Sequence, residues 1–209
     1  MDAIIQRISA LSPCDFADAL PVSQFIDPAI SSLWQPVPKL VGRAYTVSCP
    51  DGDHLMFHTA IYRAKPVDVI VAVGDPTYAL AGGNVCAIAQ QNGIAGCVID
   101  GRVRDLAEIR DMQFPVFAKG VIPKPGAKKQ IGTLNTPVTC GGVTVEDGDY
   151  IIADEEGIAV IPQADILAAL EKAEARAHKD ASTPLPQWRE QHKATVDKAL
   201  QALGFETEE

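Results

Sequence analysis

Residues 68–118 read DVIVAVGDPTYALAGGNVCAIAQQNGIAGCVIDGRVRDLAEIRDMQFPVFA. Asp68 to Gly74 is an apolar run that hardly alternates, the texture of a strand buried on both faces. Gly82 to Asn92 reads as a loop turning into a helix, with Gly93 as its stop. Ala95 to Ile99 is the next strand, Asp105 to Met112 the next helix, and Pro115 to Ala118 a third strand. Three strands alternating with short helices make a βαβαβ run, which requires parallel strands joined by right-handed crossovers.

The flanks add to this unit. Ile4, Ile5, Ile8 and Leu11 have helical spacing, ended by Pro13, and a second short helix is expected over Asp15 to Leu20. A proline-punctuated connector, Pro21 to Pro38, leads to a strand at Leu40 to Cys49. Asp53 is the expected N-cap of a helix through Ala64, with Leu55, Ile61 and Tyr62 among its apolar positions. Downstream, VIPKPGAKKQ at 121–130 reads as a basic, mobile loop. Val138 to Pro162 alternates short β runs with GG, DGD and DEEG turns, which suggests antiparallel strands appended to the parallel unit. Gln163 to His178 is a helix with Ile166, Leu167, Leu170 and Ala173 on one face, followed by a linker at 180–187 and a last helix over 187–203. That last helix suits either docking on a neighbouring subunit or a solvated arm. The expectation is a single α/β domain over 1–209, with its core at about 15–162 and C-terminal helices at about 163–205.

Composition narrows the function classes. The 209 residues carry 18 basic and 27 acidic side chains, a net charge of −9, which argues against nucleic acid as a partner because phosphate backbones are bound by basic surfaces. A local cationic pocket for a small anion remains compatible with that charge. No apolar run reaches membrane-spanning length, and the acids among the first residues do not read as a signal peptide. Five scattered cysteines without a CxxC argue against a disulfide framework or a structural zinc site, so a reducing cytoplasm is the expected compartment and each cysteine is expected to act as a small buried hydrophobe.

In a parallel sheet, ligands gather where the carboxyl ends of strands enter the following helices. Two such loops are consecutive here, Asp75 to Gly83 and Asp100 to Asp105. The first ends in Gly82-Gly83 before a helix, an arrangement that lets backbone N–H groups approach a carboxylate or phosphate; it is equally a turn needing positive φ. It matches neither GxGxxG nor GxxxxGK[ST], so nucleotide binding has no specific support. In the second loop Arg104 can hold a carboxylate or keto oxygen through its fork of donors, and Asp105 can bind a divalent cation. Asp105 with Glu108 three residues on also fits a capping box, and the two readings stand level. His54 and His58 lie four apart in HLMFH, which lacks the glutamate of HExxH; packing or hydrogen bonding is the expected role.

The segment GG-(x20)-RD, followed by EIRDMQFPVFAKG and later PVTCGGVTVEDGDYIIADEEGIAVIP, resembles the RraA-like family from about Val41 to Pro162. Its sharpest elements are Gly101, Arg104 and Asp105 in G-x-x-R-D, and Ala153 to Gly157 in A-D-E-x-G. That family includes class II pyruvate aldolases acting on 4-hydroxy-4-methyl-2-oxoglutarate or 4-carboxy-4-hydroxy-2-oxoadipate, and the non-catalytic regulator of ribonuclease E activity A. The resemblance implies an αββα sandwich of the swivelling-domain type and a homotrimer or hexamer with sites at subunit boundaries. It also implies a Mg²⁺ or Mn²⁺ dependent lyase that releases pyruvate from a small 2-oxo acid and decarboxylates oxaloacetate. In it, the amides of Gly82, Gly83, Asn84 and Val85 would bind the substrate carboxylate, Arg104 would stabilise the enolate and Asp105 would hold the metal. The chain departs from the aldolases at one position: they carry Asp or Glu one residue after the first glycine, where this chain has Gly83. Asp75, Asp100 or an acid of a neighbouring C-terminal helix are the sequence's candidates to replace it.

Overall fold

The computed structural model describes residues 2–205. In chain order the strands are β1 (Ser31–Ser32), β2 (Leu40–Ser48), β3 (Asp68–Val73), β4 (Ala79–Ala81), β5 (Gly96–Asp100), β6 (Arg102–Val103), β7 (Val116–Ala118), β8 (Thr133–Leu134), β9 (Val138–Cys140), β10 (Val143–Val145), β11 (Tyr150–Asp154) and β12 (Gly157–Ile161). The helices are α1 (Ala3–Ser9), α2 (Leu55–Ala60), α3 (Gly83–Gln91), α4 (Leu106–Asp111), α5 (Ile166–Ser182) and α6 (Leu185–Ala202).

The main sheet runs β1-β7-β5-β3-β2-β11-β12, with β8 pairing with the end of β2. Strands β2, β3, β5 and β7 are mutually parallel, and β11 adds antiparallel to β2. The non-alternating run of β3 is explained by burial on both faces. Ile70 and Ala72 pack with Phe57, Ile61, Cys86 and Ile109 on the face covered by α2, α3 and α4. Val69 and Val71 pack on the other face with Ile26, Ile30 and the apolar residues of the β9–β10 hairpin. The α/β class, the parallel unit, the appended antiparallel strands and the C-terminal helices are all present.

Helix α3 ends as expected. Gly93 has φ +80°, Ile94 N–H donates to Ala89 O (3.1 Å) and Gly93 N–H donates to Gln90 O (3.0 Å), the paired bonds of a left-handed glycine stop.

Several expected elements shift. The second N-terminal helix is a single 3-10 turn, Pro13–Phe16, opened by a capping box in which the Asp15 carboxylate accepts the Ser12 N–H (2.7 Å). Helix α2 stops at Ala60, and Tyr62, expected on its apolar side, is 68% exposed. On α5 the buried stripe is Ile166, Ala169, Leu170 and Ala173, with Leu167 exposed. The linker between the last two helices shortens to Thr183 and Pro184, where proline starts α6. Cys49, Cys86, Cys97 and Cys140 are buried free thiols, and burial pushes Cys86 and Cys140 up to about 12; Cys14 alone departs from the expected burial.

The chain divides into two compact units, Met1–Ala173 and Glu174–Glu209. The first holds both cores and all the strands. In the second, α6 buries none of its side chains, and Trp188 stacks on His192 with ring centroids 4.5 Å apart. No helix is long and apolar enough to cross a membrane among the described residues.

Candidate active site

Two very short strands create the site. Beyond the ends of β3 and β5, β4 pairs in parallel with β6, Ala79 opposite Arg102 and Ala81 opposite Val103. Each runs directly into a helix: β4 through Gly82 into α3, and β6 through Arg104-Asp105 into α4. The Arg104 N–H donates to Ala81 O at 3.0 Å, so the two loops named from the sequence are locked side by side.

The glycines serve close approach rather than turn geometry. Gly82 is extended, at φ −158° and ψ −175°, and Gly83 is helical with negative φ, so neither needs glycine's left-handed freedom. A β-carbon on Gly82 would stand 2.6 Å from Asp105 Oδ2 and 2.9 Å from Arg104 Cγ. Only a hydrogen there lets Arg104 and Asp105 close over the start of α3.

Asp105 itself has a left-handed backbone, at φ +58°, as Val67, Gln113 and Asn135 do away from the cavity. Non-glycine residues held there cluster at functional sites. Its side chain makes no capping bond to α4, which removes the capping-box reading. Instead Oδ2 accepts the Gly83 N–H across the loop at 3.1 Å and lies 3.4 Å from Arg104 Nε. No protein donor reaches the other oxygen, Oδ1, among the described residues. One acceptor of a half-exposed carboxylate is thus oriented and unused.

These groups open on a cavity of about 410 Å³ lined by the two loops, His54, His58 and the 125–128 segment. Gly82, Asn84, Val85, Arg104 and Asp105 all line it. Gly83 does not; its amide is already committed to Asp105. Asn84 and Val85 sit in the first turn of α3, where amides lack intrahelical acceptors, so their N–H groups face the cavity mouth as available donors.

Two contributors were not foreseen from sequence. Lys128 belongs to the loop read as mobile, yet that loop is pinned: buried Asp53 accepts N–H bonds from Lys129 (2.6 Å), Gln130 (3.1 Å) and Leu55 (2.8 Å), and Ala127 N–H donates to Gly52 O (2.7 Å). Burial alone would raise the Asp53 pKa, but the three amides outweigh it and hold the carboxyl below the ordinary range. A backbone-amide clamp of this kind has no sequence signature beyond an aspartate before a helix. The second contributor is the His54–His58 pair, whose rings lie 4.3 Å apart. The contact of His54 Nδ1 with Ala79 O (3.3 Å) puts the proton on Nδ1 and leaves Nε2 an acceptor. The pair packs and hydrogen-bonds, and among the described residues no three His, Cys, Asp or Glu side chains form a metal cage. Asp100 and Asp75 stay outside the site. Asp100 accepts the Gly141 N–H (2.8 Å) and pairs with Lys119, while Asp75 closes a turn on the Thr77 N–H (2.8 Å).

Burial, reinforced by neighbouring His54, Lys128 and Arg104, pushes His58 down to about 4, so the imidazole is neutral at neutral pH. The unfolded histidine titrates near 6.5, so between those values the unfolded chain binds more protons. Stability attached to His58 is therefore complete above about 6.5 and falls as pH drops towards 4, by at most about 3 kcal/mol. Urea midpoints measured from pH 7 to pH 4 should decline less steeply for His58→Gln than for the native chain; parallel declines would show that His58 is not held neutral.

Comparison with known proteins places these features in context. The family model described as RraA-like, Aldolase/RraA, matches residues 13–160. A Halalkalibacterium halodurans protein named provisionally as a 4-hydroxy-4-methyl-2-oxoglutarate aldolase is 41% identical over 144 residues, 68% of this chain and 69% of that one. A Thermus thermophilus protein named 4-hydroxy-4-methyl-2-oxoglutarate aldolase is 38% identical over 85 residues, 41% of this chain and 52% of that one. Among solved structures, Streptomyces coelicolor RraAS2 superposes with a TM-score of 0.77 at 22% identity, covering 87% of this chain and 95% of that one, a likeness of fold.

Proposed function

The chain belongs to the RraA-like family, and we propose that it is a divalent-metal-dependent lyase that cleaves a 4-hydroxy-2-oxo-dicarboxylic acid to pyruvate and also decarboxylates oxaloacetate. Relatives named as aldolases support a lyase. The observation that carries the finer reading is the convergence of free helix-start amides, a guanidinium and an oriented carboxylate on one cavity.

Both reactions break the C3–C4 bond of a 2-oxo acid, the 4-hydroxyl giving up its proton to leave a carbonyl product in the first and CO₂ departing in the second, and both leave the enolate of pyruvate, which is then protonated to pyruvate. The negative charge that grows on the keto oxygen must be neutralised as it forms. The residues fit a Mg²⁺ or Mn²⁺ ion: Mg²⁺ keeps several waters and needs only one or two protein carboxylates, and Asp105 offers a fixed oxygen with no other donor on it. Such an ion supplies Lewis acidity at the keto oxygen when bound. The chain's own residues do the rest. The Asn84 and Val85 amides hold the substrate's 1-carboxylate at the start of α3. Arg104, fixed by its ion pair to Asp105, sets its donors against the keto oxygen. Lys128 and Arg104 give the cavity a positive lining suited to a second carboxylate.

A homotrimer with sites at subunit boundaries, in a reducing cytoplasm, completes the proposal. The test is pyruvate release from oxaloacetate and from 4-hydroxy-4-methyl-2-oxoglutarate with Mg²⁺ or Mn²⁺, with light scattering on the same sample. Turnover abolished by a chelator and a mass of three chains or a multiple are expected. No turnover above that of the metal ion alone would sink the lyase, and a monomer would remove the shared site.

A further inference from the structure

Cleavage of a 4-hydroxy-2-oxo acid needs a base, and decarboxylation of oxaloacetate does not. In the first reaction the 4-hydroxyl must lose its proton as its oxygen becomes a carbonyl. Oxaloacetate already carries the carboxylate that leaves as CO₂. A base for the hydroxyl has to line the cavity and keep a lone pair free. Arg104 and Lys128 are cations without an acceptor atom, and the amide of Asn84 is not basic. Asp105 Oδ2 is occupied by the Gly83 N–H and Arg104, and Oδ1 is the oxygen offered to the cation. Two imidazoles are left, His54 and His58.

The two rings are not equivalent. Burial pushes His58 down to about 4, with His54, Lys128 and Arg104 adding to it, so it takes up a proton poorly at neutral pH. Burial lowers His54 too, with Lys128 and Arg104 on the same side, but the Ala79 carbonyl on its ring and the Asp53 carboxylate beside it favour the protonated form. His54 is also held in place. It is the N-cap residue of α2; its N–H donates to Ala127 O (2.9 Å) and its carbonyl accepts the His58 N–H (3.2 Å). The residue is 7% exposed, and Nδ1 meets Ala79 O at 3.3 Å. With the proton on Nδ1, the lone pair is on Nε2, and no protein donor reaches Nε2 among the described residues. A buried ring nitrogen in a cavity wall without a partner calls for a ligand to supply one. Ala79 belongs to β4, which leads through Gly82 to the Asn84 and Val85 amides. One short stretch thus fixes the tautomer of the ring and offers the donors for the substrate's 1-carboxylate, the arrangement of a base oriented by a third group.

We infer that His54 is the catalytic base of the cleavage, its Nε2 taking the proton of the substrate's 4-hydroxyl. As the O–H electron pair becomes the second bond of the C4 carbonyl, the C3–C4 pair passes into the enolate of pyruvate and the ring becomes imidazolium. The imidazolium then returns the proton to C3, completing pyruvate and restoring the neutral ring. The inference rests on the lyase reading above and names a residue that reading does not use.

The ratio of two activities of the full chain with Mg²⁺, cleavage of 4-hydroxy-4-methyl-2-oxoglutarate and decarboxylation of oxaloacetate, tests it. His54→Asn keeps an N–H for Ala79 O and removes Nε2. It should lower cleavage relative to decarboxylation at least about a hundredfold, the scale of losing a general base. In His54→Ala, added imidazole should restore part of the cleavage, whereas pyrazole, of the same shape but far less basic, should not. Circular dichroism should show both variants folded. An unchanged ratio in His54→Asn would overturn the role of His54 and leave the lyase standing. Equal rescue by pyrazole and imidazole would overturn it as well, tracing the loss to packing. Decarboxylation without cleavage by the native chain would do the same, since no hydroxyl proton would then be moved. Neither activity in the native chain would overturn the lyase reading itself.

Discussion

Arg104→Ala and Asp105→Ala should each lower metal-dependent pyruvate release at least about a hundredfold, the scale of losing one preorganised electrostatic stabiliser, or about 2.7 kcal/mol of barrier. The two losses should differ in kind. In the proposed reaction Arg104 carries a full charge beside the oxygen on which charge develops, so its removal should depress kcat and kcat/KM together, as expected for a contact that strengthens in the transition state. In that proposal Asp105 acts through the metal, so its loss should also raise the metal concentration needed for half activity. Asp105→Asn is the sharper variant, because asparagine tolerates the left-handed backbone at φ +58° and keeps an acceptor for the Gly83 N–H while removing the charge. Neither side chain is in the core: 43% of Arg104 and 36% of Asp105 remain exposed. Thermal midpoints should therefore stay close to native, separating chemistry from folding. Full activity in Arg104→Ala would remove the proposed enolate stabilisation.

The parallel unit was legible because its strands are buried on both sides and cannot alternate, so β3, β5 and β7 announced themselves as apolar runs between glycine and aspartate breaks. Four strands left no such mark. β1, β4, β6 and β8 are two or three residues long and exist because neighbouring chain is held beside them; no periodicity can develop over that length. β4 and β6 matter most, since they bring Gly82 and Arg104 together. The sequence could place both loops at one end of the sheet, but not the register that makes them touch. Asp105 was undecided for a similar reason. Capping and long-range bonding ask for the same residue type at the same spacing, and only the backbone angle at Asp105 separates them. Lys128 was missed because a proline-glycine-lysine segment is polar whether it waves or is clamped, and the clamp comes from Asp53, 75 residues earlier.

Gly82 carries the second strong expectation. At Gly82 an added β-carbon would strike Asp105 Oδ2 at 2.6 Å, Arg104 Cγ at 2.9 Å and Arg104 Nε at 3.0 Å. These are the groups the proposed chemistry uses, and they are tethered through the Arg104 N–H bond to Ala81 and cannot retreat freely. Gly82→Ala should thus push both side chains out of place while the extended backbone accepts alanine without strain. A displacement of about 1 Å at a reacting centre costs on the order of a hundredfold in rate. Gly82→Ala should therefore approach the loss seen in Arg104→Ala, with a near-native unfolding midpoint and intact circular dichroism. The contrast with Gly142 is instructive. There no atom lies within 4 Å of an added β-carbon, but φ is +79°, so Gly142→Ala should lower stability by about 1 kcal/mol and leave turnover per folded molecule unchanged. One substitution of the same chemistry would then cost activity and the other stability, because one glycine exists for contact and the other for conformation. Equal turnover in Gly82→Ala and the native protein would mean that Arg104 and Asp105 do not act from the positions they hold over the start of α3.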